Sequence, residues 1–397
     1  MARTELDAAG RSEDYYLARR LAGGLEETLV PRQHQVSTGP STLRAAFVGV
    51  ESHFVYTRSS QFFVDLLRET IGHVQAFASD WRWIHLPLRR HWDLVVFWQH
   101  FPEPWEVDAL NADNIALVPM YDNCPREEAF WNQYKKCKVL CFSRTLGNLL
   151  RGFGLNVLTV QFFPPVPSEA VNWEDDGFKA FFWPRKEEVS WAQVRPLLAP
   201  EELSEVHLHV TNNLSEVRLG ITEEEERVFN ISTSTWFDSA ADYRNLLCRH
   251  QVFLAPRREE GIGLSFLEAL SMGMAVIAPN NPTMNEYIRS GINGYLYDPD
   301  HPMRIPLENA RQWGREARLL SVAGREAWLR SIPEMVGFFL SSEQKRRGSA
   351  DSRVRKRMIS ALPGFIRYSA WKGLLVARRV LFPWWKKTSR REIRLRD

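Results

Sequence analysis

The sequence is poor in cysteine, has no long apolar run and, taken whole, carries almost no net charge. Four cysteines (Cys124, Cys137, Cys141, Cys248) in 397 residues are too few and too scattered for a disulfide framework. Cys137 and Cys141 flank a strand-like Lys138-Val139-Leu140 with no histidine at ligand spacing, so they read as reduced packing residues in a cytoplasmic protein. No stretch approaches the roughly 18 consecutive apolar residues that a membrane-crossing helix needs. The opening MARTELDAAGRSEDYYLARR lacks the apolar centre of a secretory signal. With 44% hydrophobic and 25% charged residues the chain is not of the disordered class, and its length exceeds what one ordinary core organises.

The small net charge of +3 conceals a division. Residues 343–397 hold 17 Lys and Arg against 4 Asp and Glu, a net +13, so the preceding residues carry −10. An acidic body precedes a basic tail, and the two call for separate readings.

Residues 1–40 are polar and end in Val36-Ser-Thr-Gly-Pro-Ser-Thr42, an N-terminal extension followed by a linker. From Leu43 the pattern changes to short apolar runs separated by helical stripes. Strands are expected at Leu43–Val50, Asp93–Phe97, Ile115–Val118, Lys138–Phe142 and Val157–Val160, with helices at Ser59–Thr70, Arg126–Lys136 and Arg144–Phe153. Strands apolar on both faces and spaced by helices imply a parallel sheet covered on both sides. Pro164-Pro165-Val166-Pro167 marks a boundary, after which the alternation restarts. Strands are expected at Phe178–Trp183, Val206–Val210, Val228–Ile231, Val252–Ala255, Ala275–Ala278 and Tyr295–Tyr297, and helices at Ser190–Leu198, Ser239–His250, Leu264–Met272 and Met284–Ser290. The expected fold is α/β: two doubly wound, Rossmann-like domains, 41–167 and 168–342, facing a central cleft, with 343–397 as a basic helical tail.

One segment stands out from composition: Ala255-Pro-Arg-Arg-Glu-Glu260-Gly-Ile-Gly-Leu-Ser-Phe-Leu-Glu268-Ala-Leu-Ser-Met-Gly-Met-Ala-Val-Ile-Ala-Pro279. It reads as strand, glycine turn, helix and strand. Gly261 and Gly263 let backbone approach a ligand, and the helix that follows presents free N–H groups suited to an anion. This segment resembles the Glu-x7-Glu signature of retaining GT-B-type glycosyltransferases, in particular glycosyltransferase family 4. The likeness continues through Pro282-Thr-Met-Asn-Glu-Tyr-Ile-Arg-Ser-Gly-Ile-Asn-Gly-Tyr-Leu-Tyr-Asp298.

The resemblance implies a transferase that uses a nucleotide-diphosphate sugar and needs no metal cofactor. It implies that Glu260 lies by the donor sugar, that Glu268 holds the ribose, and that Gly261, Ile262 and Gly263 face the donor. Arg185 and Lys186, just after the first strand of the second domain, are the expected diphosphate contacts. They are adjacent, whereas the family spaces this basic pair several residues apart. In the first domain, His100 is the expected donor-sugar histidine. Glu51 and Asp122 are candidates on the acceptor side. No Asp-x-Asp motif is assigned to a cation.

In the tail, Lys and Arg alternate with Trp371, Leu374, Leu375, Val380, Phe382, Trp384 and Trp385, a pattern suited to an anionic membrane surface on the inner face of the cell membrane. Docking of the tail on the body is the other reading, and nucleic acid is not expected because no reading motif accompanies the charge. The resemblance, together with the tail, implies transfer to a glycan or lipid-linked acceptor in bacterial surface-polysaccharide synthesis. A GT-B-type epimerase or phosphorylase, or a glycan-binding protein that has lost turnover, stays open at this level.

Overall fold

The computed structural model describes residues 43–341 apart from 56–58, 80–89, 175–176, 211–219, 236 and 238; the extension 1–40 and the basic tail lie outside the described residues. In chain order the strands are β1 Arg44–Val50, β2 His73–Ser79, β3 Trp92–Trp98, β4 Ala112–Val118, β5 Lys138–Cys141, β6 Asn156–Thr159, β7 Phe178–Phe182, β8 Leu203–His209, β9 Ile231–Ser234, β10 Val252–Leu254, β11 Ala275–Pro279 and β12 Tyr295–Tyr297. The α-helices are α1 Glu51–Val55, α2 Gln61–Ile71, α3 Pro104–Ala109, α4 Glu128–Trp131, α5 Arg144–Gly152, α6 Trp191–Val194, α7 Glu223–Val228, α8 Ala240–Leu247, α9 Leu264–Met272 and α10 Ala310–Leu340.

The strands form two six-stranded sheets, ordered β2-β1-β3-β4-β5-β6 and β12-β11-β10-β7-β8-β9. Every pairing is parallel. Side-chain alternation explains why neither face is polar. In the first sheet Phe47, Val96, Trp98, Val118 and Leu140 point to one buried layer, while Val48, Val95, Phe97, Leu117 and Val139 point to the other. The second sheet repeats the scheme, with Phe181, Phe253 and Val276 on one side and Phe182, Leu254 and Ile277 on the other.

Two features join the sheets. Phe162 and Phe163, next to the proline boundary, belong to an apolar cluster that contains residues of both sheets. The long helix α10 begins on the second sheet and ends on the first, where Trp328 packs on Phe142 and Phe162, and Phe339 on Phe63. There its last turn is pinned by Lys138. The Nζ of this buried lysine donates to Asn114 Oδ1 (2.8 Å), Phe339 O (2.9 Å) and Ser341 O (3.1 Å), so all three ammonium protons have acceptors.

The helices expected at Arg126–Lys136 and Ser190–Leu198 are each a short α-helix running into a 3-10 turn, and three further elements differ from the sequence reading. His73–Ser79 is an additional strand on the edge of the first sheet. Val228 ends a capped helix, in which Thr222 and Glu225 form a capping box, and the strand starts only at Ile231. The stretch expected to be helical from Met284 makes a single 3-10 turn, Met284–Glu286, because its side chains are engaged across the cleft instead.

Candidate functional site

In an open parallel sheet, ligands bind beyond the carboxyl ends of the strands where the order reverses. The second sheet reverses between β7 and β10, and the chain leaving those two strands carries the chemistry. After β7 come Trp183, Arg185 and Lys186; after β10 come Arg257, Glu260 and the glycine turn. The first sheet reverses between β1 and β3, whose ends lead to Glu51, His53 and His100.

Glu260 is buried, 8% exposed, and its pKa is pushed up to about 7. Burial is the main cause and the Asp122 charge adds to it; Arg257, Arg185 and Lys186 oppose both. The loop holding it is pinned to the next one, with Glu260 N donating to Pro282 O (3.2 Å) and Thr283 Oγ1 donating to Glu260 O (2.7 Å). Glu268 lies on α9. Its side chain is open to solvent, yet protein packed around the cleft floor lifts its pKa to about 7, with Arg244 opposing. Solvent in an open cleft moderates that second shift.

Gly263 begins α9 at φ 79°, a left-handed conformation that suits glycine, and a Cβ there would fall 1.9 Å from the Phe266 ring. Gly261 has a different constraint. A Cβ on it would lie 2.6 Å from Met120 Cβ and 2.8 Å from Asp122 Oδ1, so its missing side chain lets the two domains touch. Ile262 between them is buried in the apolar cluster and offers only its backbone to a ligand.

Arg185 lies over the Trp183 ring at 4.6 Å, and burial together with the nearby Arg257 lowers its pKa from an already high value, leaving it cationic. Arg257 donates to Asp122 Oδ2 at 2.7 Å across the cleft. Burial raises the pKa of Asp122 and Arg257 counters it. A second cross-domain pair joins Arg126 to Glu259, with Arg126 also over the Tyr121 ring at 4.1 Å.

The structure therefore brings Glu260, Arg185, Lys186 and Asp122 together, with Gly261 beside Asp122. His100 follows β3 at the reversal of the first sheet. It is 4% exposed, its Nδ1 3.2 Å from Ser79 Oγ, behind a left-handed Gln99 at φ 51°. The first-domain histidine whose charge couples to Asp122 is His53, on α1 just after β1; its Nδ1 lies 2.8 Å from Ser59 Oγ and burial lowers its pKa. Glu51 is exposed at the start of α1.

Three residues of the site were not singled out by the sequence: Arg257, Tyr243 and Trp183. Tyr243 on α8 is placed between Glu268 and Arg185, whose charges act on it in opposite directions while burial raises its pKa. Among the described residues, the buried donors Tyr243 OH, Arg257 Nε and Trp183 Nε1 have no hydrogen-bond partner. Buried donors without acceptors are rare in folded proteins, and this group lies around the cationic pocket. The arrangement suits a polyanionic, oxygen-rich ligand. The chain's one Asp-x-Asp tripeptide, Asp298-Pro299-Asp300, lies after β12, and its carboxylates are engaged by His301 and Arg258.

Glu286 forms a further bridge. From the second domain, its carboxylate accepts from Ser143 Oγ (2.7 Å), Arg144 N (2.5 Å) and Thr145 N (2.9 Å), capping α5 of the first domain. Next to it Phe162 N donates to Tyr287 OH at 3.1 Å.

A family model described as "Glycosyl transferases group 1" matches residues 189–305. A sucrose synthase of Melioribacter roseus is 37% identical over 62 residues, 16% of this chain; the match spans only 8% of that protein's length. Among solved structures, a glycosyltransferase from Rickettsia africae aligns with a TM-score of 0.53 at 13% identity, over 76% of this chain and 100% of that one. A sucrose-phosphate synthase from Thermosynechococcus elongatus gives 0.53 at 14%, over 74% and 97%. The Anabaena HepE protein in complex with UDP gives 0.51 at 10%, over 76% and 100%. At these identities the structures establish the fold, a GT-B arrangement of two Rossmann-like domains.

Proposed function

We propose that this chain, whose residues 189–305 match the family model described as "Glycosyl transferases group 1", is a glycosyltransferase moving a sugar from a nucleotide-diphosphate donor, with retention at the anomeric carbon. The observation that carries this reading is the cationic pocket at the β7/β10 reversal, where Arg185, Lys186 and Arg257 surround the buried Glu260 and partnerless donors face the same space. The UDP in the Anabaena structure is in keeping with a nucleotide donor.

The donor diphosphate is held by Arg185, Lys186 and Arg257 together with the N–H groups at the start of α9. Binding supplies acceptors for Tyr243 OH and Arg257 Nε, and it competes with Asp122 for the Arg257 guanidinium. Glu268 accepts from the ribose hydroxyls, and Glu260 from the sugar. As the bond to the anomeric carbon breaks, charge builds on the diphosphate, where the fixed cations stabilise it. The acceptor hydroxyl attacks from the face the diphosphate leaves and passes its proton to a diphosphate oxygen, so the residues act by positioning and charge, without a divalent cation. Asp122, His53 and Glu51 border the acceptor side.

The acceptor is a glycan or lipid-linked glycan of surface-polysaccharide synthesis, met at the inner face of the cell membrane. No helix among the described residues is long and apolar enough to cross a membrane. The basic 343–397 segment holds the enzyme at anionic lipid, each Lys or Arg contributing about 1 kcal/mol near the surface. Full-length protein is expected to sediment with anionic vesicles and to stay in solution with zwitterionic ones; equal behaviour with both contradicts the membrane part.

The catalytic reading is tested by incubating the purified chain with nucleotide sugars and following nucleotide release, with the product's anomeric configuration read by NMR. Release that falls at least about a hundredfold in Glu260→Gln, with a retained configuration, is the expected result. Release unchanged in that variant, or an inverted product, contradicts it.

A further inference from the structure

Below the cleft, the second domain carries a polar cluster that the transferase reading does not use. Alternation along β8 sets Glu205, His207 and His209 on one face, and β9 places Ser232 opposite His207 and Ser234 opposite His209. A chain of hydrogen bonds follows this face. His209 Nδ1 is 2.9 Å from Ser234 Oγ, which is 2.8 Å from His207 Nε2. His207 Nδ1 is 2.7 Å from Ser232 Oγ, and the Ser232 hydroxyl donates to Glu205. One direction satisfies every member: each imidazole donates through Nδ1–H to a serine, and each serine donates onward.

His250, in the turn between α8 and β10, packs against this chain without joining it. Its ring centroid lies 5.4 Å from that of His207. Its Nδ1–H donates to Leu246 O at 2.7 Å, which leaves Nε2 as a bare lone pair. His250 is 2% exposed, and Nε2 is buried with no donor. Ligand atoms of Glu205, His207 and His250 lie within 4.8 Å of one another. A buried acceptor facing a second imidazole and a carboxylate is completed by a cation.

We propose that Glu205, His207 and His250 form a zinc-binding site, separate from the donor cleft. Two imidazoles and one carboxylate are the donor set of a tetrahedral zinc centre with one open position, and they match poorly the all-oxygen shells of magnesium or calcium. The Leu246 carbonyl already supplies the outer contact that orients a ligating histidine. Glu205 is part-exposed, which gives the ion a way in. Glu205 lies four residues before the cleft end of β8, roughly 13 Å along the strand at about 3.3 Å per residue.

Binding requires the Ser232 hydroxyl to turn aside and His207 to present Nδ1 to the ion. His207 then carries its proton on Nε2, and the chain through Ser234 to His209 reverses. His209 packs edge-on to Trp183, 4.8 Å between centroids, so this change reaches the wall on which Arg185 rests.

The test uses the full-length chain stripped with a chelator and titrated with zinc against a chromophoric competitor, then with cobalt(II) as a spectroscopic probe. Expected are about one equivalent of zinc per chain, a raised melting temperature, and the visible absorption of tetrahedral cobalt(II). Affinity is expected to fall at least about tenfold in both Glu205→Gln and His250→Ala, and to be unchanged in His91→Ala, which alters an exposed His91, Asp93, Asp113 group on the first domain. Glu205→Gln changes a part-exposed side chain and keeps its shape, so it remains informative if His250→Ala fails to fold. Absence of zinc binding, octahedral cobalt spectra, or full affinity in Glu205→Gln overturns the proposal.

Discussion

Glu260, the proposed donor-sugar contact, shows how a buried carboxyl acts against stability. Its carboxyl has a pKa of about 7 in the folded protein against 4.5 as an ordinary glutamate. Between those values the folded state keeps a proton that the unfolded state has lost. Stability from this group is therefore fullest below about pH 4.5, declines as pH rises, and is gone above about pH 7. Glu260→Gln, which mimics the protonated form, is expected to be more stable than the parent at pH 8 by on the order of 1–3 kcal/mol and about equal at pH 4.5. Urea unfolding at the two pH values checks this; a variant less stable at pH 8 refutes the burial argument. The placement of Glu260 in a turn and of Glu268 on a helix was legible in the sequence because a strand, a glycine turn and a helix follow one another there without interruption, whereas Arg185 was expected only from the resemblance. Arg257 and Tyr243 were not legible as site residues: what matters about them is which strand end or helix they are set beside. His100 was expected from the resemblance and from its position after a strand; that it is buried beside Ser79 is a tertiary feature that the strand pattern does not carry.

At the scale of elements, α10 and α5 are held by polar anchors. Lys138→Met is expected to strand three buried acceptors, Asn114 Oδ1, Phe339 O and Ser341 O, and to cost about 2–4 kcal/mol. The end of α10 then loosens, which faster amide exchange in residues 335–341 reports; unchanged exchange argues against the anchor. Gly314 permits the close crossing of α10 over the end of α9, since a Cβ there would sit 2.2 Å from Gly273 O. Gly314→Ala is expected to lower stability by roughly 1–3 kcal/mol in a thermal or urea melt, and a neutral result would mean that the crossing relaxes freely. Most strands were legible because apolar runs such as Phe97 and its neighbours are buried on both faces. The edge strand β2 was not, as His73 and Gln75 interrupt its apolar character. The helix expected at Met284 fails for a tertiary reason: Glu286 and Tyr287 are engaged with the first domain.

Over the whole molecule, the cleft proposed to hold the donor also joins the domains. The Asp122–Arg257 and Arg126–Glu259 pairs, the Glu286 cap and the bare Gly261 contact all cross it. Gly261→Ala pushes a methyl into Met120 and Asp122 and is expected to widen the cleft, raising KM for donor more than it lowers kcat. The reverse pattern would assign Gly261 to the reacting centre instead. The division of charge also belongs to this scale, since the local cations of an acidic body make the anion site while the basic segment follows it in the chain.

The central claim is that the cleft between the two sheets holds a nucleoside diphosphate. Calorimetric titration of the full-length protein with UDP, GDP, ADP, CDP and dTDP tests it most directly. The account predicts saturable binding of at least one of them, weakened at least about tenfold in Arg185→Ala and again in Glu268→Gln. No binding by any of the five, or binding indifferent to both substitutions, would contradict it.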